Sequence, residues 1–146
     1  MRRKSFGSAN CPVARSLDAI GDWWTLLIMR DSLNGVRRFS DFERSLGVAK
    51  NILAARLKSL VAQGIMELVP ATDGSAYQEY VPTPKGEALL PVLVALGQWG
   101  GAHLFGPGEP CGVVLDERTR QPLRTLEVRS EAGRRVGFRD IVIATP

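Results

Sequence analysis

Few side chains in this chain of 146 residues could perform covalent or metal chemistry, and their spacing narrows the choice. Cys11 and Cys111 stand far apart, and with the single histidine, His103, they make no convincing four-ligand zinc site and no histidine motif near either thiol. No phosphate-cradling loop and no paired carboxylates in a recognisable catalytic setting occur, so the sequence predicts no catalytic residue, no metal and no cofactor. A different chemistry is concentrated in RRFSDFERSLGVAKNILAARLK, residues 37–58. Six bases (Arg37, Arg38, Arg44, Lys50, Arg56 and Lys58) face two acids there, a surplus of +4 that equals the net charge of the whole chain. Such a face is either simply solvated or shaped for a polyanion. Asparagine pairs bidentately with adenine, lysine reaches the guanine edge, and small alanines admit a thymine methyl, so Lys50, Asn51 and Ala54 suit the major groove of double-stranded DNA. Arg37, Arg38, Arg56 and Lys58 suit phosphates, which position a protein without specifying sequence.

Those residues require a helical frame. Pro12 can open a first helix carrying Val13, Leu17 and Ile20, and Asp22 can cap a second from Trp23 to Leu33. Ser40-x-x-Glu43 has capping-box spacing, with Phe39 as a hydrophobic staple and Gly47 as a stop. Ser40 could alternatively donate to a phosphate at its helix end. The next helix, about Ala49 to Gln63, buries Leu53, Leu57 and Leu60 and ends at Gly64. Two short helices joined by a glycine-containing turn are a helix-turn-helix. A hairpin follows, Ile65–Val69 and Tyr77–Val81 around Thr72-Asp73-Gly74-Ser75, and Ser75 at its tip is a further candidate DNA contact. Thr83 and Pro84 then start one long helix, and short β-branched runs at 113–115, 125–128 and 141–143 predict hairpins beyond Gly106-Pro107-Gly108. The expected architecture is mainly α with a small β-wing: a winged helix-turn-helix over residues 11–106, a basic arm at 1–10, and a β-rich extension at 107–146 of unknown role. That extension is nearly neutral, with seven arginines against six acids from Glu109 onward.

The order and spacing of these elements resemble the HxlR-type transcriptional regulators, a branch related to MarR winged-helix proteins. The resemblance covers about residues 10–104. It rests on Cys11-Pro12, Leu17-x-x-Ile20-Gly21-x-x-Trp24-Thr25-Leu26-Leu27-Ile28, Arg38-Phe39-Ser40-x-Phe42, Lys50-x-x-Leu53-x-x-Arg56-Leu57-x-x-Leu60, Gly64-Ile65 and Tyr80-x-x-Thr83-x-x-Gly86. It implies a homodimer on a pseudo-palindromic operator, with the helix of Lys50, Asn51, Ala54 and Arg56 in the major groove and the hairpin along the backbone. Two departures stand out: the wing tip 72–75 has no lysine or arginine, and Ala49 stands where relatives often place a serine cap. The resemblance also makes Cys11 a candidate redox or electrophile sensor. A cysteine before a helix-starting proline, with Arg2, Arg3, Lys4 and Arg15 near in sequence, has surroundings that activate a thiol; a small buried filler is the alternative.

The apolar stripe of Leu89, Val92, Leu93, Leu96 and Trp99 is wider than one small domain needs and, with Val13 and Leu17, predicts a dimer interface; packing on the chain's own core is the alternative. No apolar run reaches the ~20 residues of a membrane span, and no signal peptide is recognisable, so a cytoplasmic location with reduced thiols is expected. The sequence leaves the effector unidentified. A winged-helix protein adaptor and a thiol-dependent enzyme remain as competing readings.

Overall fold

The structure is a computed structural model that describes residues 4–144 and 146; Arg2 and Arg3 of the basic arm lie outside the described residues. Two compact units divide the chain, Met1–Leu90 and Pro91–Pro146.

In the first unit, α1 (Pro12–Ile20), α2 (Trp23–Leu33), α3 (Phe39–Leu46) and α4 (Lys50–Ala62) precede the hairpin β1 (Met66–Pro70) and β2 (Gln78–Pro82), and the short α5 (Pro84–Glu87) follows. The strands are antiparallel in the register Met66↔Pro82, Leu68↔Tyr80 and Pro70↔Gln78. Helix α2 packs against α1, α3 and α4, while β1 lies on α4. Ile28, Phe42, Leu53, Leu57, Leu60 and Met66 form the fully buried centre. Their spacing supplies one apolar stripe per helix, and burying each such side chain contributes about 1.5–3 kcal/mol. The winged helix-turn-helix expected from the sequence is therefore present, with its strands displaced by one residue from the expected limits.

Three local expectations are corrected. Helix α3 begins at Phe39 with Arg38 as its N-cap and no side-chain cap, so the Ser40–Glu43 capping box does not form. The reason is tertiary: the Tyr80 amide donates to the Arg37 carbonyl at 2.7 Å, fixing the chain just before Arg38, which is extended at φ −94° and ψ 145°, so that the helix opens directly after it. The long helix after Thr83 is two helices, α5 and then α6 (Leu90–His103). Pro91 has no amide to donate to Glu87, and its ring crowds that carbonyl, so the helix restarts. Among the described residues the extension contains no β-ladder. Its turns are closed by isolated antiparallel bridges, Leu115↔Pro122 and Arg129↔Arg135, with a 3-10 turn at Phe138–Asp140.

The second unit joins the extension to α6. The Gln98 amide clamps it twice, donating to the Arg124 carbonyl at 3.0 Å and accepting from the Leu126 amide at 2.8 Å. No helix is long and apolar enough to cross a membrane, and no group of three His, Cys, Asp or Glu could hold a metal, both among the described residues.

Candidate nucleic-acid interface

The turn between α3 and α4 depends on Gly47, whose φ of +62° lies in the left-handed region that favours glycine, and whose amide donates to the Glu43 carbonyl. Val48 is buried beneath the turn and anchors it. Helix α4 then starts without a side-chain cap at Ala49, which leaves its first amides facing outward. Leu53, Leu57 and Leu60 seat the helix in the core. On the opposite side Lys50, Asn51, Ala54, Ala55, Lys58 and Ser59 are all exposed, with no carboxylate among them. The structure thus brings Lys50, Asn51, Ala54 and Lys58 onto one open face. Arg56 sits apart from them: its Nε lies 3.3 Å from Oδ1 of Asp22, the residue that caps α2 by accepting from the Thr25 amide at 2.9 Å. Arg56 therefore ties α4 to the start of α2.

The adjacent pair Arg37 and Arg38 holds the wing. Arg37 Nε lies 2.6 Å from Oε2 of Glu79, a carboxylate only 4% exposed. Oε1 of Glu79 accepts from the Thr72 amide at 3.1 Å and from the Thr72 hydroxyl at 3.2 Å. Arg38 pairs with Asp73 at the wing tip, lies 5.3 Å from the centre of the Tyr77 ring, and donates to the Ser75 hydroxyl at 3.4 Å. The tip has no base of its own, yet a guanidinium from 35 residues earlier stands beside it. Sequence reasoning placed Asp22 as a cap and Asp73 in the wing turn, but it paired neither of them, nor Tyr77 or Glu79, with an arginine, because nothing local links them. Ser40 is exposed at the second position of α3 and has no capping role.

Asp73 carries a testable signature. The Ser75 amide, the Ser75 hydroxyl and then Arg38 all favour its charged form and lower its pKa to about 2. A folded value below that of the unfolded chain means that the clasp stabilises the wing tip above the ordinary carboxylate range and is lost as pH falls through about 2. A carbon-detected NMR titration of the Asp73 carboxyl should give a midpoint near 2, and Arg38→Ala should raise it. A wild-type midpoint at the ordinary 3.8 would show that the clasp is open in solution.

Cys11 is the N-cap of α1 and is exposed, which rules out the buried-filler alternative within the single chain. Nearby, Arg15 Nε donates to the Ala9 carbonyl at 2.6 Å. Cys111 is also a free, exposed thiol. Of the residues expected at a dimer interface, Val13 and Leu17 on α1 are exposed, as are Val92, Leu96 and Trp99 on α6; Leu89 and Leu93 are half-buried.

Comparison with known proteins places this geometry. The HxlR-like helix-turn-helix family profile matches residues 19–106. An uncharacterized helix-turn-helix-type transcriptional regulator of Mycobacterium tuberculosis, Rv3095, is 40% identical over 114 residues, spanning 73% of this chain and 72% of its own. The crystal structure of PA1607 is 47% identical with a TM-score of 0.91, and the match covers 98% of this chain and 100% of PA1607. The redox regulator HypR in its oxidized form is 29% identical with a TM-score of 0.58, over 64% of this chain and 97% of HypR. The profile match over most of the chain and the 40% identity to Rv3095 together mean that this protein belongs to the HxlR-like helix-turn-helix family of transcriptional regulators.

Proposed function

We propose that the protein binds double-stranded DNA sequence-specifically, as a homodimer on a pseudo-palindromic operator. The observation that carries this reading is the open, carboxylate-free face of α4, on which Lys50, Asn51, Ala54 and Lys58 stand together. A helix of this kind fits the major groove, with Asn51 and Lys50 near its N-terminal end reading base edges and Lys58 meeting phosphate. Arg37 and Arg38 keep solvent-facing edges while holding the wing, and there they and Ser75 can meet the DNA backbone; Ser40 can donate to a phosphate, and Arg56 steadies the reading helix. A protein-binding face would carry larger apolar anchors, which this one lacks. Two-fold symmetry would present two copies of α4 about 34 Å apart, one turn of DNA. The exposed apolar side chains of α6 supply the dimer contact, with Val13 and Leu17 of α1 contributing.

Capture of sheared genomic DNA from the source organism, against excess random duplex at moderate salt, tests the reading. It should enrich a few palindrome-containing intergenic fragments. On such a fragment Asn51→Ala should weaken specific binding by about 1–3 kcal/mol and leave nonspecific binding unchanged. Equal losses on all sequences would remove Asn51 from base reading. Enrichment of nothing by folded dimer, reduced or oxidised, would favour the protein-adaptor reading.

Exposure of the Cys11 thiol at the first turn of α1, together with the likeness to a redox regulator, supports gating of DNA binding by oxidation or by an electrophile at this residue. Oxidant should then change operator affinity of the wild type and leave Cys11→Ser unaffected.

A further inference from the structure

The wing is poorly charged for a hairpin that lies along DNA. From Met66 to Pro82 the chain carries three acids, Glu67, Asp73 and Glu79, and no lysine or arginine. Among the described residues Arg37 and Arg38 are the bases paired to it, two charges against three, so the assembled wing stands at −1. The two pairs differ. Glu79 is 4% exposed and is bound by Thr72 as well as Arg37, so it belongs to the packing of the wing. The Asp73 side chain is 55% exposed and that of Arg38 31%, so this pair stands where an incoming phosphate can reach both members.

The Asp73 carboxylate is set in place before any partner arrives. Its Oδ1 accepts from the Ser75 amide at 2.9 Å across the turn, which leaves Oδ2 for Nη2 of Arg38. The guanidinium is held as well: Nη2 also donates to the Ser75 hydroxyl, and the Tyr77 ring centre lies 5.3 Å from Cζ. An oxygen anion set against a guanidinium is the contact that an arginine makes with a phosphate. A pKa of about 2 keeps this carboxylate charged at neutral pH.

We propose that Asp73 determines how strongly the protein discriminates between its operator and random DNA: the carboxylate holds, at Arg38, the place that a backbone phosphate would take. The proposal rests on the DNA-binding reading above. Binding to random duplex is almost wholly electrostatic, so a positive charge withheld at the wing is lost from it in full. In a complex registered by base contacts of α4, the backbone is held against the wing, and a phosphate there can exchange with Asp73. In a loose, sliding complex Asp73 keeps the arginine and repels the backbone. Specificity is a difference of affinities, and an unfavourable charge in the wrong complex raises it.

Asp73→Asn is the variant to test, since the asparagine oxygen still accepts from the Ser75 amide and the turn survives. Fluorescence anisotropy with a labelled duplex of random sequence should show tighter binding than the wild type at about 50 mM salt. Between about 50 and 200 mM the variant should lose about threefold more affinity than the wild type, the increment of one added positive charge. On an operator fragment captured as above the gain should be smaller, so that the ratio of operator to random affinity falls. Glu87→Gln, on exposed α5 at the other end of the hairpin from its tip, makes the same change in net charge and should leave that ratio unchanged. Unchanged or weaker binding by Asp73→Asn would make Asp73 a structural support of the wing and overturn the proposal. So would an equal gain on both DNAs, or the same response from Glu87→Gln. A wild type that prefers no captured fragment to random duplex would overturn the sequence-specific reading itself, and this proposal with it.

Discussion

Replacing Gly86 by alanine is expected to destabilise the protein by about 3 kcal/mol, at the upper end of what overpacking costs. A Cβ built at this position stands 2.1 Å from the Ile65 carbonyl oxygen and 3.3 Å from the terminal methyl of Met29. Gly86 is not in a left-handed conformation, so the requirement is close approach rather than backbone freedom. The junction has little room to relax. The Ile65 carbonyl already accepts from the Thr83 amide at 3.0 Å, and the Thr83 hydroxyl accepts from the Gly86 amide at 3.2 Å. Helix α5 and the base of the wing would have to separate. Urea unfolding of the full chain at one fixed protein concentration measures the loss. A change below about 1 kcal/mol would mean that α5 shifts freely and that Gly86 has no packing role.

The second large effect is expected at Phe42, which is 0% exposed between α3 and the rest of the core. Phe42→Ala should cost about 3–5 kcal/mol, the transfer term plus the cavity left behind. Phe42→Leu should recover most of that by refilling the space. Phe39, one turn earlier in the Arg38-Phe39-Ser40-x-Phe42 motif, is only half-buried, and Phe39→Ala should cost distinctly less. The same unfolding experiment separates the two, and equal losses would contradict the burial pattern. Because Phe42 holds α3 against α2, and α3 leads into the turn that aims α4, Phe42→Ala should also weaken operator binding below its melting temperature. Asn51→Ala should weaken binding without touching stability, so the pair distinguishes a residue that positions the reading helix from one that reads.

The sequence by itself determined the helices, the wing and the outward face of α4. Helical apolar spacing in α4, Asp22 before Trp23, Gly47 between two short helices, and the Asp73-Gly74 turn are local signals. Each states a backbone preference within a few residues, and the structure carries all of them. The break at Pro91 was equally local, since a proline lacking an amide interrupts any helix, and an uninterrupted reading of the apolar stripe passed over it.

Tertiary structure decided the partners of the charges. Arg37, Arg38 and Arg56 resemble the neighbouring bases Lys50 and Lys58 in local sequence character, and only the fold sets them beside Glu79, Asp73 and Asp22. The start of α3 at Phe39 likewise follows from a hydrogen bond between Tyr80 and Arg37, residues far apart in sequence. The β-branched runs of the extension have the composition of strands but form no ladder among the described residues, because composition favours pairing without supplying a neighbour to pair with. Side-chain pattern specifies which surface each element buries. Which opposite charge a side chain meets, and which strand an edge finds, depends on contacts that exist only once the elements have packed.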